Sequence, residues 1–442
     1  MKIGFVPIDN RPVCYCLPAQ IAAIDSSIEF FMPKRAWLGG LTKYAAVEEI
    51  FTWLENLPEL DAIILSLDTL AYGGLIPSRR CPDSFEQIKK RIERLKNIIL
   101  KKHARIYAFS SIMRISNNNI NEEEKEYWTH WGKKIFNYSY CMHKFGTVCK
   151  KEVPDEVLED YMQTRKRNFE INKIYLEWQK QGIFATLVFS KDDCAEYGFN
   201  VQEAKELERL GGFVKTGADE IPLSLLARAV EGGVKVAPVF LEPDQSHLIS
   251  NYEDVSIEQC VKGQTELAGC GLTGAEDADI LLYVNNFRNR QGEIVMGVDT
   301  EMFSGMWQKP EKPYMIADVR FANGADNNFV NELFKNNLDE NFFGYSAWNT
   351  SANTLGSLIC AAKIKFLAKK YNDAAFKKLQ TIRFLDDWAY QANVRQLRPE
   401  FSAVKNLMRD FEKIVFEKIG TDAVTCYKFP WNRLFEVEVE LN

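Results

Sequence analysis

Short apolar runs alternate with amphipathic stretches along most of the chain. The apolar runs predict strands at Lys2–Ile8, Ile28–Met32, Ala62–Leu67, Arg105–Ile112, Ala185–Phe189, Phe213–Thr216, Val234–Leu241 and Ile280–Val284, with two more at Tyr314–Ala317 and Phe343–Ser346. Runs such as AIILSL and ATLVFS are apolar without alternation, which suits parallel strands covered on both faces. Between them lie helices of 3.6-residue period. Ser84–Leu100 puts Phe85, Ile88, Ile92, Leu95 and Ile99 on one stripe, with Asp83 or Ser84 as N-cap. Asn200–Leu210 begins at an Asn cap and stops at Gly211-Gly212. Repeated strand–helix units predict an α/β fold.

The eight strands before residue 290 match the count of a parallel (β/α)8 barrel. That predicts a barrel-like catalytic domain over 1–290, with a helical insertion at about 121–178, and an appended α/β and helical region over 291–442. Two doubly wound α/β domains fit the same string and stay open as the alternative. No internal repeat or low-complexity linker marks a boundary.

Composition narrows the function classes. The 442 residues carry 55 Lys+Arg against 61 Asp+Glu, a net charge of −6, without the basic excess of a nucleic-acid binder. No apolar run reaches the roughly 20 residues of a membrane span, and the start MKIGFVPID lacks the features of a secretion signal. Ten Cys without CxxC pairs and four His without HxH or HExxH spacing supply no zinc set. The expectation is a cytoplasmic protein with ten free thiols, no cofactor and no metal, no nucleic-acid or membrane partner, and a small carbohydrate as substrate. A homo-oligomer is left open.

Candidate chemistry sits immediately after the strands. Asp9 and Arg11 follow the first, Asp68, Tyr72 and Arg79 the third, Arg114 the fourth, Asp192-Asp193 the fifth and Asp219-Glu220 the sixth. The carboxyl ends of parallel strands converge on one rim, so these residues are expected to share a pocket. Asp219-Glu220 and Asp192-Asp193 are the candidate catalytic pairs, since adjacent carboxylates can divide into an ionised and a protonated partner. Asp219 is equally suited to cap the helix that follows it. Gly73-Gly74 lacks phosphate-loop spacing and predicts a turn that lets a ligand or another loop come close. Later, Asn323, Asp326, Trp348 and Asn349 offer an aromatic floor with polar neighbours for a sugar ring, or a buried Trp with helix caps.

The phrases VPIDNRPVC, SLDTLAYGGLIPSR, SKDDCAEYG, TGADE, FANGADN and YSAWNTSANTLG resemble, in order and over nearly the whole chain, a bacterial family catalogued as domain of unknown function 4127. That family name implies no activity. Lys215–Glu220 is similar to the His-x-Gly-Gly-Asp-Glu signature of barrel β-N-acetylhexosaminidases. The likeness implies Asp219 as the residue orienting a 2-acetamido nucleophile and Glu220 as general acid. Asp192-Asp193 resembles the Asp pair of another substrate-assisted hexosaminidase family. Lys215 and Ala218 depart from the first signature, as does the position after the sixth strand. The expected activity is hydrolysis of an amino-sugar-containing glycan, with Asp9, Arg11, Asp68, Tyr72, Arg79, Arg114, Asn323, Asp326, Trp348 and Asn349 binding substrate. A Mg²⁺- or Mn²⁺-dependent hydrolase using Asp9, Asp68, Asp192 and Asp219 is one alternative, and a non-catalytic sugar-binding protein is another.

Overall fold

The computed structural model describes residues 1–148, 152–192 and 195–442. The chain divides into two compact units, one of Met1–Tyr15 with Glu29–Pro222, the other of Cys16–Ile28 with Leu223–Asn442. The change of unit at Pro222 precedes the sequence-based boundary at residue 290.

Unit 1 holds six parallel strands, β1 (Lys2–Val6), β2 (Glu29–Phe31), β3 (Ala62–Ser66), β4 (Arg105–Ile112), β5 (Thr186–Lys191) and β6 (Val214–Thr216). Their spatial order is β2-β1-β3-β4-β5-β6. The central strands are buried almost throughout because Ala62-Ile-Ile-Leu and Tyr107-Ala-Phe supply apolar side chains to both faces. One face packs on the helix Phe85–Ile99, which buries Ile88, Ile92, Leu95, Ile98 and Ile99 and starts in a complete capping box from Ser84 and Gln87. The helix Asp155–Lys180 adds Ile171, Tyr175, Leu176 and Trp178 to the same core. The second predicted helix runs Phe199–Arg209, and its N-cap is Gly198, not Asn200.

Unit 2 holds five parallel strands, β7 (Lys235–Phe240), β8 (Gly271–Leu272), β9 (Ile280–Asn285), β10 (Tyr314–Asp318) and β11 (Phe342–Ser346), ordered β8-β7-β9-β10-β11. A separate antiparallel pair, β12 (Thr425–Lys428) and β13 (Glu438–Leu441), closes the chain. Numbered within each unit, both sheets begin second, first, third, fourth, fifth. In both, the order reverses between the first strand and the third.

The eight strands counted before residue 290 therefore do not close into one barrel. Among the described residues they pair in two sheets: β6, three residues long, pairs with β5, and β7 pairs with β8 and β9. Parallel buried strands look alike in barrels and open sheets, so the apolar runs could not distinguish them.

No helix among the described residues is long and apolar enough to cross a membrane. Cys14, Cys16, Cys81, Cys260, Cys270, Cys360 and Cys426 are free thiols. Cys141 is disulfide-bonded, which corrects the expectation of ten free thiols. Spacing along the chain says nothing about cysteines that the fold brings together. Cys149 and Cys194 lie outside the described residues.

Candidate functional site

The loops after the strands of unit 1 interlock at one rim. Thr69 Oγ1 donates to the carbonyls of Pro7 and Ile8, at 2.7 and 3.0 Å, tying the loop after β3 to the loop after β1. Gly73 and Gly74 adopt φ of +91° and +138°. A side chain at Gly73 would meet the backbone of Ala45 at 3.0 Å, and one at Gly39 would meet the Gly73 carbonyl at 2.1 Å. The glycine pair thus serves close approach of another loop, one of the two uses expected of it.

Arg11 is the hub of the first cluster. Its Nη1 and Nη2 donate to the two oxygens of Asp219 at 3.0 and 2.6 Å, and its Nε donates to Asp9 Oδ2 at 2.9 Å. β1 and β6 are four pairings apart, about 19 Å in a flat sheet at ~4.8 Å per strand. Direct contact between their loops means that the rim curls inward. Asp219 therefore holds Arg11 with both oxygens. Burial raises its carboxyl above the usual range, with the Arg11 charge opposing and the Asp9 carboxylate adding to the rise.

Glu220 is buried, and its Oε2 accepts the Ala218 N–H at 3.1 Å. A side chain at Gly217 (φ +115°) would strike its Oε1 at 1.6 Å, so the carboxylate lies folded over its own loop.

Asp9, Cys14 and Asp219 place ligand-type atoms within 4.8 Å of one another. The donor set nevertheless does not fit a divalent cation. The Arg11 guanidinium already contacts all three, reaching Asp9 Oδ2 at 2.8 Å and Cys14 Sγ at 3.7 Å, and supplies the positive charge there.

The second cluster surrounds Asp68. Ser66 caps the helix Leu67–Tyr72 through a bond from the Thr69 N–H, which places Asp68 in the first turn, fully buried. Ser111 of β4 donates its N–H to Asp68 Oδ2 at 2.8 Å. Ser190 Oγ bonds Ser111 Oγ at 3.3 Å, and Ser110 Oγ bonds Asn172 Oδ1 at 2.7 Å. The Asp68 carboxyl is pushed up to about 7 by burial, against the Ser111 bonds and the Arg79 charge.

A chain of ion pairs runs from Arg79, whose charge acts on this carboxyl, to the loop after β5. Arg79 Nη1 bonds Glu124 Oε1 at 2.9 Å, Arg114 Nε reaches the same oxygen at 3.3 Å, and Arg114 Nη1 lies 3.4 Å from Asp192 Oδ2. Arg80 secures the acidic segment through the carbonyls of Asn121 and Glu124 at 2.7 and 2.8 Å.

Among the described residues, four donors in this cluster find no acceptor: Tyr72 Oη, Tyr175 Oη, Arg79 Nε and Arg79 Nη2, all buried. Arg167 stacks over the Tyr72 ring at 5.4 Å and is itself spent on the carbonyls of Ser78, Cys81 and Asp83.

Of the residues expected at one rim, unit 1 holds Asp9, Arg11, Asp68, Tyr72, Arg79, Arg114, Asp192, Asp219 and Glu220. They form two groups, around Arg11 and around Asp68. Asp193 lies outside the described residues. Asn323, Asp326, Trp348 and Asn349 belong to unit 2. Asp326 caps the helix Asn327–Lys335, and its other oxygen takes the Phe303 N–H at 2.6 Å. Asn323 Nδ2 bonds Glu293 at 2.7 Å, and its N–H bonds the Asn349 carbonyl at 2.8 Å. Trp348 is only 4% exposed, and Thr350 caps the helix Ser351–Leu367. That stretch is the buried Trp with helix caps.

Glu124 and Ser111 were missed. Glu124 stands in NNNINEEEKEYW, which reads as a solvated polar loop, and only the buried Arg79 reveals its use. Ser110-Ser111 interrupts an otherwise apolar strand, and that break was a visible signal.

The chain matches a family model described as "Protein of unknown function (DUF4127)" over residues 3–440. It belongs to that family. No curated protein and no solved structure matches it, and the likeness to β-N-acetylhexosaminidases finds no support among these comparisons.

Proposed function

We propose that this DUF4127 protein is a glycoside hydrolase whose proton donor is Asp68. The reading treats each unit as a doubly wound sheet, in which ligands bind beyond the carboxyl ends of strands where the order reverses. In unit 1 that place lies between β1 and β3, flanked by Asp9 and Asp68.

The observation that carries the proposal is the state of Asp68. A buried carboxyl titrating at about 7 still holds its proton near neutral pH, as a general acid for a departing alcohol must. Asp192, partly exposed and paired with Arg114, supplies the second carboxylate that glycoside hydrolysis requires. Asp219 takes a positioning role by fixing Arg11, and Glu220 is withdrawn into its own loop.

The test is a panel of chromogenic and alkyl glycosides, with N-acetylglucosaminides and N-acetylgalactosaminides first. Asp68→Asn should lower kcat about 10²- to 10⁴-fold on alkyl glycosides, the usual worth of a positioned acid. The loss should be smaller on nitrophenyl glycosides, whose leaving group needs little protonation. Wild-type activity should fall as pH rises above about 7, when Asp68 loses its proton. A near-normal rate for Asp68→Asn, with loss in Glu220→Gln instead, would return the acid role to the Asp219-Glu220 loop. Sugar binding without turnover on the whole panel would sink the enzyme reading.

A further inference from the structure

We propose that Arg79 and Tyr72 form a binding site for an oxyanion, a carboxylate or phosphate monoester carried by the substrate. The inference rests on the reading of the Asp68 rim as the active site and adds the substrate's charge to it.

Arg79 is 2% exposed and uses only part of its guanidinium. Nη1 is bonded to Glu124, while Nη2 lies 3.8 Å from Glu123, beyond hydrogen-bond distance. Nε and Nη2, the donors without an acceptor, share one edge of the planar group. That edge is the fork that matches two oxygens of a carboxylate or phosphate.

The other fully buried arginines do not leave a fork open. Arg165 spends Nε and Nη2 on Glu203 at 2.9 and 2.6 Å and Nη1 on Tyr161 at 2.9 Å. Arg320 spends Nε on Asn285, Nη1 on the Glu301 carbonyl and Nη2 on Glu242. Arg383 lacks a hydrogen-bond partner only at Nε. Among the described residues, Arg79 is the buried arginine that leaves both Nε and Nη2 without an acceptor.

Asp68 and Tyr72 stand four residues apart, on one side of the helix Leu67–Tyr72. The Arg79 charge acts on Asp68, and Asp68 acts in turn on the Tyr72 hydroxyl. Asp68 does not close the fork, because its bonds come from Ser111. A buried donor left unpaired is costly, so the fork and the hydroxyl call for an acceptor from outside the chain.

Isothermal titration with inorganic phosphate and with D-glucuronate tests the site, with methyl β-D-glucopyranoside as uncharged control. At least one anion should bind the wild type, and the control should bind at least 10-fold more weakly. Arg79→Lys keeps a cation for Glu124 but loses the fork, and should bind that anion at least 10-fold more weakly. Tyr72→Phe should weaken binding 3- to 10-fold without lowering the stability of the free protein, a combination that a structural role would not produce. Phosphate alone marks a phosphorylated sugar, and glucuronate alone marks a uronic acid. If neither anion binds, or if Arg79→Lys binds like the wild type, the inference fails. Anion binding without hydrolysis of any glycoside would keep this site and remove the hydrolase reading. Hydrolysis of neutral glycosides undiminished in Arg79→Lys would do the reverse.

Discussion

The two units carry the same kinds of residue at their strand ends and spend them differently. Unit 1 has Asp68, Tyr72 and Arg79, and unit 2 has Asp318, Tyr345 and Arg320. Asp318, like Asp68, is raised to about 7, first by burial and then by the Asp326 carboxylate. There the likeness ends. Asp318 accepts from Asn285 Nδ2 at 2.8 Å, from the Asp326 N–H at 2.8 Å and from Tyr345 Oη at 3.0 Å. At the reversal of strand order in unit 2, the Asn286 side chain holds the Glu242 backbone twice, Oδ1 accepting the Glu242 N–H at 2.9 Å and Nδ2 donating to the Glu242 carbonyl at 2.8 Å. The unit 2 triad is saturated with partners from its own chain, and the unit 1 triad keeps three donors unspent. A saturated network holds a fold together, whereas open donors among buried neighbours are what a ligand can complete.

The largest difference should appear when the arginines are removed. Arg320→Met strips the cation from the fully buried Asp326 and leaves Glu242 only its bond to Arg288, and should cost about 3–5 kcal/mol of unfolding free energy. Arg79→Met leaves Glu124 its bond to Arg114 and deletes two unpaired donors. Its cost should be about 1–2 kcal/mol. Urea unfolding followed by tryptophan fluorescence compares the two, and equal losses would break the contrast.

The next effect concerns protonation. Asp68 titrates near 3.8 when unfolded and at about 7 when folded. The native state therefore holds the proton more tightly, and this group's contribution to stability, full below pH 4, is lost as pH rises through 7. About three pKa units correspond to an upper limit of about 4 kcal/mol. Asp68→Asn keeps an acceptor for Ser111 and cannot ionise. It should unfold at higher urea than the wild type at pH 8 and near the same urea at pH 4. A uniform loss at both values would show that Asp68 is there for structure.

Most of the central strands were legible because continuous apolar runs can hardly be anything else in a covered parallel sheet. The misses were β8, two residues of exposed Gly-Leu, and the β12–β13 pair, whose short mixed segments carry little pattern. Barrel against two sheets depends on which strand edges meet, a contact between distant residues that no local period encodes. The candidate site was legible to the same depth. The rule that polar residues after strands share a rim found Asp68, Arg79 and Arg11. It could not assign their partners. Adjacent carboxylates suggested Asp219-Glu220 as a catalytic pair, but Asp219 meets Arg11 across 208 positions, a pairing that appears only when the rim curls. Trp348 misled for the same reason, since an aromatic beside Asn and Thr reads alike whether it faces a sugar or the core.

The smallest effect is the most discriminating, because the two tyrosines differ in a single bond. Tyr345→Phe removes the hydroxyl that donates to Asp318, while the ring keeps its stack on Phe384 at 4.5 Å. It should cost about 1–2 kcal/mol, the worth of one buried hydrogen bond to a carboxyl. Tyr72→Phe removes a hydroxyl that bonds nothing and leaves the ring under Arg167. Deleting a buried polar atom without a partner relieves its desolvation cost, so stability should hold or rise by up to about 1 kcal/mol. The prediction fails if Tyr72→Phe unfolds at distinctly lower urea, for the hydroxyl would then have a partner in the free protein. If it holds, adding the bound anion should reverse the order. Wild type would gain more unfolding free energy than Tyr72→Phe at the same anion concentration, because a ligand stabilises only through the contacts it makes with the native state.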